Sequence, residues 1–247
     1  KVVTTIPRQR NLKPGQLSFS ELVVSAPISM FAESIRRMRA AIDQSAGRNG
    51  LANSIVIMVT STTPGEGKTT ASVALARSYA LAGKTTLLVD CDLRKPGVGN
   101  QLGIESSEAL IAFLNQKKEA PSVLSEFLET DPMTDAVVIS GARRSNVATD
   151  QLIAGANFDK LIAAARSIFD VVILDTPPIG PVVDGLYVAA NADMIVYLIK
   201  YGTTPQTDAR KALARLSAAK PSSTEVFFAI SQQDVSRRTY LGQYGDY

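Results

Sequence analysis

Residues 55–70 read Ile-Val-Ile-Met-Val-Thr-Ser-Thr-Thr-Pro-Gly-Glu-Gly-Lys-Thr-Thr, an apolar run followed by a loop that contains two glycines. The run predicts a buried strand, and the residues after the loop predict a helix. Gly65 and Gly67 let the backbone curl so that successive N–H groups face one point, and the helix N-terminus adds its dipole. With Lys68 and Thr69 they form Gly-x-Gly-Lys-Thr, which is typical of a phosphate-binding loop.

This loop predicts how a nucleotide such as ATP would be held. Lys68 would reach the β- and γ-phosphates, and the hydroxyl of Thr69 would ligate Mg²⁺. The general pattern has another glycine five residues before Gly67, where this chain has Thr62. The residues whose backbone would face the phosphates are Gly65, Glu66, Gly67, Lys68, Thr69 and Thr70.

Segments of strand and helix character alternate along the rest of the chain. The strand-like segments are continuously apolar, as in strands that helices cover on both faces. The pattern therefore predicts an α/β fold with a doubly wound, mostly parallel sheet of the P-loop NTPase type. The predicted strands are 55–60, 85–90, 136–139, 171–175, 194–200 and 226–230, and the predicted helices are 30–46, 69–82, 108–115, 157–168, 182–190 and 206–218.

Two later predicted strands end in carboxylates. The strand at 85–90 ends in Asp90, with Asp92 two residues later, and the strand at 171–175 ends in Asp175. In an open α/β sheet the ligand lies outside the carboxyl ends of the strands, so we expect all three to converge on the phosphate-binding loop. Three carboxylates beside a triphosphate are tolerable only if Mg²⁺ neutralises them or if one acts as a base.

We interpret two further aspartates as structural residues. Asp184 and Asp193 flank the helix predicted at 182–190. Aspartate side chains commonly accept hydrogen bonds from the first N–H groups of a helix. Capping accounts for both residues, and neither is assigned to the site.

The amino-acid composition argues against several kinds of site and partner. The chain of 247 residues has one cysteine, Cys91, and no histidine, which excludes a disulfide framework and argues against a structural zinc site. A net charge of +3 is too small to imply nucleic acid, and we expect no nucleic-acid partner. The longest apolar segments are far shorter than the roughly 20 residues that a spanning helix needs, so we expect neither a membrane span nor a signal peptide in this sequence.

At these motifs the chain resembles the bacterial tyrosine kinases, or BY-kinases, which phosphorylate tyrosine with a phosphate-binding loop. Residues 61–69 contain the family's Pro-Gly-Glu-Gly-Lys core, and the family usually lacks glycine where Thr62 stands. Residues 89–96, Val-Asp-Cys-Asp-Leu-Arg-Lys-Pro, are similar to its second acidic motif, and residues 173–178, Ile-Leu-Asp-Thr-Pro-Pro, to its third.

The resemblance extends to the first helix and the C-terminal segment. Glu33, Arg36 and Arg39 match the family's Glu-x-x-Arg-x-x-Arg oligomerisation motif, which implies a closed ring, commonly an octamer. BY-kinases autophosphorylate a terminal tyrosine cluster, and we expect transfer between subunits. The corresponding tyrosines here are Tyr240, Tyr244 and Tyr247.

The resemblance also implies roles for the charged residues. Lys68 and the loop amides would bind the phosphates, and Asp175 would be oriented to the metal through water. Asp90 is the candidate base for the tyrosine hydroxyl, with Asp92 in the outer shell of the metal. The order of those two roles stays open.

The family context implies an organisation and a cellular setting. We expect a juxtamembrane-like lead-in at 1–30, a kinase domain at 31–230 and a flexible tail at 231–247. The chain opens without Met, and we expect it to be the cytoplasmic domain of an inner-membrane protein that controls exopolysaccharide polymerisation or export. The implied partners are further copies of the chain, a transmembrane co-polymerase region linked covalently or non-covalently, and a cognate tyrosine phosphatase.

The sequence departs from the family at two places and leaves rival functions open. Residues 145–150 replace a Pro-Asn-Pro element, and Ser231 stands where an asparagine is common.

One rival function is that of a partitioning or positioning ATPase that modifies no tyrosine. Such proteins carry an extra lysine five residues before the catalytic one, where this chain has Thr63. Another rival is a catalytically silent partner of a transmembrane protein.

Overall fold

The computed structural model describes residues 2–12, 14–51, 54–105, 107–115, 124–141 and 148–234. The strands of this part of the chain are β1 (Val2–Pro7), β2 (Ile55–Ser61), β3 (Thr86–Asp90), β4 (Glu129–Thr130), β5 (Val137–Ile139), β6 (Val171–Asp175), β7 (Met194–Lys200) and β8 (Glu225–Gln233). The helices are α1 (Leu22–Ser25), α2 (Met30–Arg48), α3 (Lys68–Ala80), α4 (Val98–Leu102), α5 (Ala109–Leu114), α6 (Thr149–Ile153), α7 (Ala156–Ile168), α8 (Asp184–Ala189) and α9 (Gln206–Ala219), with 3₁₀ turns at Phe19–Glu21 and Leu124–Phe127.

All eight strands lie in one sheet, in the order β1-β8-β7-β2-β6-β3-β5-β4. Every neighbouring pair is parallel except β4 and β5. From β2 the chain moves outward to β3 and β5, and then returns through β6 to build β7 and β8 on the other side. This reversal beside β2 is the switch point at which α/β sheets bind ligands, and it confirms the predicted fold class.

The core covers both faces of the sheet because side chains alternate along each strand. On β2, Val56 and Met58 lie on the face covered by α5, α7, α8 and α9. Ile55, Ile57 and Val59 lie on the opposite face, which α2 and α3 cover. The continuous apolar character of the strands follows from this double burial.

Helix α2 forms from the predicted apolar spacing. Phe31, Ile35, Met38 and Ile42 are all buried, and the side chain of Ser29 caps the helix by accepting from the N–H of Ala32 at 3.2 Å. The helix runs two residues past the predicted end at 46. No helix within the described ranges has both the length and the apolar character needed to cross a bilayer.

Parts of both predicted terminal segments join the sheet. Residues 2–7 of the expected lead-in form edge strand β1, which pairs with β8. β8 continues through Gln233, so the boundary that we placed at 231 lies inside a strand. The reason is that β1 supplies a parallel partner for the end of β8. Residues 235–247, with the predicted tyrosine cluster, lie outside the described residues.

Candidate active site

The phosphate-binding loop joins β2 to α3. Gly65 and Gly67 have φ values of 78° and 92°, which residues with a Cβ atom rarely adopt. Gly67 immediately precedes α3, and no side chain within the described part of the chain caps that helix. The first N–H groups of a 13-residue helix, with the positive end of its dipole, are thereby left to bind an anion.

Glu66 supports the loop from behind. Its side chain is buried, and one carboxylate oxygen accepts from the N–H of Thr63 at 2.7 Å. The other oxygen accepts from the N–H of Lys200 at 3.1 Å and from the hydroxyl of Thr204. Only the backbone of Glu66 can therefore face a phosphate. The loop motif predicted the role of that backbone, whereas no local pattern indicated the structural role of the carboxylate.

Asp90 and Asp175 are neighbours across β3 and β6. Both are fully buried, and burial raises the pKa of Asp90 to about 8, with a further contribution from the negative charge of Asp175. The carboxylate of Asp90 accepts from the N–H groups of Gly97 and Val98, each at 3.0 Å, and of Asp92 at 3.2 Å. These donors fix the carboxylate in one orientation and offset part of the cost of its burial.

The two carboxylate oxygens of Asp175 differ in their hydrogen bonding. Its Oδ1 accepts from the hydroxyl of Ser72 at 2.8 Å, whereas its Oδ2 is buried without a hydrogen-bond partner among the described residues. Burial raises the pKa of Asp175 to about 6, and the Thr69 hydroxyl and the charge of Lys68 lower it. An unpartnered buried carboxylate oxygen beside these groups fits a hard cation.

The side chains present suit a Mg²⁺ ion that is bound together with a nucleotide better than a metal ion that is bound by the protein alone. Within the part of the chain that the structure describes, no group of three or more His, Cys, Asp or Glu side chains is placed to hold a metal. Mg²⁺ is commonly bound by one or two protein oxygens together with substrate phosphates and water. The residues present therefore fit Mg²⁺ bound with a nucleotide.

Asp92 lies at the edge of the same site. Its Oδ1 accepts from the N–H of Lys95 at 3.0 Å. Burial raises the pKa of Asp92, while that N–H and the charge of Lys68 lower it. Lys68, which begins α3 and is itself 8% exposed, therefore acts electrostatically on both Asp92 and Asp175. The structure thus brings together the four residues that the sequence assigned to catalysis.

Comparisons with known proteins agree with this geometry. A family model described as an AAA domain matches residues 54–204. Over 193 residues the chain is 35% identical to the tyrosine-protein kinase CpsD of Streptococcus pneumoniae, covering 78% of this chain and 83% of that protein. The chain belongs to the bacterial tyrosine-protein kinase family.

This kinase domain is also similar to a longer protein. Over 245 residues it is 31% identical to the succinoglycan biosynthesis transport protein ExoP of Rhizobium meliloti. That match covers 98% of this chain and 29% of the relative, so the chain spans less than a third of that protein's length.

Solved structures support the fold of the kinase domain. The kinase domain of the Escherichia coli tyrosine kinase ETK superposes with a TM-score of 0.78 at 22% identity, covering 96% of this chain and 92% of that one. The septum site-determining protein MinD of Pyrococcus horikoshii, solved with Mg-ADP, gives 0.60 at 17% identity over 75% and 73% of the two chains. The fold is therefore one that binds nucleotide with Mg²⁺ in a neighbour.

The kinase domain contains a further buried carboxylate that the sequence analysis misassigned. Asp184 lies inside the first turn of α8, and no side chain of the described residues caps that helix. Its carboxylate accepts from Arg94 at 2.9 and 3.1 Å and from the hydroxyl of Thr149 at 2.6 Å. The capping interpretation is wrong, because Asp184 instead ties α8 to the loop that carries Asp92.

Asp193 is likewise no helix cap. It precedes β7, and its carboxylate accepts from the N–H of Val56 at the start of β2, at 2.8 Å. The same oxygen forms an ion pair with Arg166 at 2.7 Å. Its position beside a strand rather than before a helix explains the difference from the prediction.

The predicted oligomerisation residues of the kinase domain have partners within the chain. Glu33 accepts from Arg36 at 2.7 Å, and Arg36 also donates to the carbonyl of Pro27 at 2.5 Å. Arg39 donates to the carbonyl of Ser78 on α3 and, at 3.2 Å, to its hydroxyl. The role of this motif between subunits stays a prediction. Tyr240, Tyr244 and Tyr247 and residues 145–147 lie outside the described residues.

Proposed function

We propose that this kinase domain transfers the γ-phosphoryl group of ATP to tyrosine hydroxyl groups. The observation that carries the proposal is the buried Asp90–Asp175 pair beside the uncapped N-terminus of α3. Buried carboxylates with raised pKa values in a cleft are typical of catalytic sites. The proposed acceptors include Tyr240, Tyr244 and Tyr247 of a neighbouring copy.

In the proposed reaction the phenolic oxygen bonds to the γ-phosphorus as the bond to the bridging oxygen of ATP breaks. The products are phosphotyrosine and ADP, and the phenolic proton passes to the carboxylate of Asp90. A tyrosine hydroxyl has a pKa near 10, and the pKa of about 8 at Asp90 makes it a stronger base than an exposed aspartate. The three backbone donors keep this carboxylate in place.

The phosphates would be held by the residues of the loop. The backbone of residues 65–70 and the ammonium group of Lys68 provide donors and positive charge, which stabilise charge on the transferring group. Mg²⁺, when bound, would neutralise phosphate charge. Thr69 and Asp175 would hold the ion, with Asp92 in its outer shell.

We place the nucleoside part of ATP in a cavity of about 180 Å³ next to the first turn of α3. The cavity adjoins Gly67 and Thr70, so a nucleotide bound there would extend its phosphates into the loop. Its walls are mostly apolar, as expected for the site of an aromatic base. The apolar residues that line it are Ile6, Pro7, Phe19, Phe31, Ala71 and Leu198.

The family relationship supports a proposal for the cellular role. We propose that the domain works at the cytoplasmic face of the bacterial inner membrane, joined to or associated with a transmembrane co-polymerase region. There it would regulate exopolysaccharide or capsule polymerisation and export, and a cognate phosphatase would reverse the modification. Glu33, Arg36 and Arg39 would hold the subunits in a ring-shaped homo-oligomer, which we propose to be an octamer.

The deciding experiment is incubation with Mg-ATP followed by peptide mass measurement. The wild-type chain should gain phosphate on the terminal tyrosines, and Lys68→Met should reduce transfer by about 10²–10³-fold because it removes positive charge at the transferring group. The exposed lysine of α7 provides the matched control Lys160→Met, which should keep full activity.

Three outcomes would count against the proposal. Unchanged phosphotyrosine in Lys68→Met would refute the assignment of this lysine. Phosphate release without phosphotyrosine would favour a bare ATPase. To test transfer between subunits, Lys68→Met is mixed with an active chain lacking residues 240–247, and an unlabelled Lys68→Met chain would rule such transfer out.

A further inference from the structure

The end of β8 contacts the phosphate-binding loop through two consecutive side chains. The hydroxyl of Ser231 donates to the backbone carbonyl of Glu66 at 2.7 Å. The side-chain amide of Gln232 donates to the carbonyl of Gly65 at 2.9 Å. Gly65 and Glu66 are adjacent in the loop, so β8 holds two successive peptide groups.

Holding these carbonyls sets the direction of the loop's N–H groups. A trans peptide is planar, and its C=O and the N–H of the next residue point in opposite directions. The carbonyls of Gly65 and Glu66 are bound by β8, so the N–H groups of Glu66 and Gly67 point away from β8. Successive N–H groups on one side of the backbone form the concave site that binds phosphate.

We propose that Ser231 and Gln232 are positioning residues that hold these amides in the orientation required by the phosphates of ATP. The inference rests on the proposed function in that ATP is the ligand, and it is independent of the acceptor tyrosine. It also gives a role to Ser231, the position at which the sequence departs from the family's asparagine.

The backbone of Gln232 supports this assignment. Its φ of 56° makes it the only non-glycine residue with positive φ in the ranges that the structure describes. A residue with a Cβ atom rarely adopts this conformation unless its surroundings impose it.

Both neighbours of Gln232 are fixed by backbone hydrogen bonds. The carbonyl of Ser231 accepts from the N–H of Tyr201 at 2.9 Å, and that of Gln233 accepts from the N–H of Arg8 at 2.9 Å. The first bond comes from the end of β7 and the second from the residue after β1. The strained residue is therefore held from both sides, with its amide directed at the loop.

Two substitutions at Gln232 distinguish a role in positioning the loop from a role in folding of the chain. Gln232→Ala removes the amide and keeps the unfavourable backbone conformation, whereas Gln232→Gly removes the amide and relieves that conformation. The matched control is Gln233→Ala, the same residue type at the next position, whose side chain does not line the cavity. Each variant is measured for its affinity for Mg-ATP and for inorganic tripolyphosphate, and for its melting temperature.

Both Gln232 variants should bind Mg-ATP and tripolyphosphate about three- to tenfold more weakly, as expected for one lost hydrogen bond. Gln232→Gly should melt at or above the wild-type temperature in spite of its weaker binding, and Gln233→Ala should match wild type. In steady-state transfer, the KM for ATP should rise with little change in kcat.

Wild-type affinity in both variants would overturn the proposal. So would a loss of affinity in Gln232→Ala that Gln232→Gly restores, because the backbone rather than the amide would then be responsible. Binding is measured without an acceptor, so the two proposals fail separately. A chain that binds ATP through Gln232 and phosphorylates no tyrosine would refute only the kinase assignment.

Discussion

Among the described residues, two pairs of buried ionisable side chains differ in whether their charges are opposite or alike. Arg77 of α3 and Asp131, in the turn before β5, have opposite charges and lie 2.7 Å apart, with both side chains only 2% exposed. Asp90 and Asp175 carry the same charge and face each other across β3 and β6. The first pair is neutralised within the pair itself, whereas the second brings two negative charges together.

The matched pair is part of the structure. Arg77 makes three contacts with the carboxylate of Asp131 and donates to the hydroxyl of Ser20 at 3.3 Å. Thr134 donates to the same carboxylate at 2.6 Å. The pair therefore joins α3 to the edge of the sheet and to the lead-in segment.

The like-charged pair destabilises the folded chain when no nucleotide is bound. Each carboxylate makes ionisation of the other less favourable, and burial adds to this cost. A chain retains such an arrangement where a ligand supplies the missing positive charge or where a base is needed. The comparison suggests that buried charges without a complementary partner mark the functional site.

The largest expected effect concerns transfer. Asp90→Asn should slow phosphoryl transfer to tyrosine by about 10²–10⁴-fold, because it removes the proton acceptor. It should change the affinity for Mg-ATP by less than a few-fold, as measured by calorimetry beside the phosphotyrosine assay. An equal loss of ATP affinity would show that Asp90 is chiefly a metal residue and would move the role of base to Asp92.

The next largest effect concerns the matched pair. Arg77→Met should lower the free energy of unfolding by about 3–5 kcal/mol, because it leaves Asp131 buried without its cation. Urea denaturation measures the change, and Arg210→Met on the exposed face of α9 should stay within about 0.5 kcal/mol of wild type. Similar stability of the two variants would contradict the structural role assigned to the pair.

A smaller effect is expected from pH. Asp90 and Asp175 have pKa values raised to about 8 and about 6 in the folded chain, whereas aspartates in the unfolded chain titrate near 3.9. Between these values the folded state binds more protons than the unfolded state, so the free energy of unfolding decreases as pH rises. Without nucleotide, the decrease from pH 6 to pH 8 should be on the order of 2–3 kcal/mol.

Thermal denaturation at several pH values tests this sign. The chain has no histidine to mask the effect. Asp175→Asn should reduce the slope, because it removes a charge that raises the pKa of Asp90. Stability that rises between pH 6 and pH 8, or an unchanged slope in Asp175→Asn, would contradict the like-charge interpretation.

Much of the fold and the centre of the site could be predicted because their signals are local. The loop before Lys68 and the carboxylates at the ends of β3 and β6 each occupy fewer than a dozen consecutive residues. Parallel strands place their carboxyl ends at one edge, so the convergence of Asp90 and Asp175 followed from fold class alone. The short strand β4, the pairing of β1 and the true extent of β8 carried no comparable signal.

Periodicity and short motifs encode the α/β class, the phosphate-binding loop and the acidic strand ends, so these features could be predicted before the fold was known. Which distant side chains meet is visible only in the folded chain. Arg77 meets Asp131 across 54 residues, Arg94 meets Asp184 across 90, and Gln232 meets Gly65 across 167. Such contacts depend on how helices and loops pack around the sheet, and neither residue of a pair carries a local pattern that names its partner.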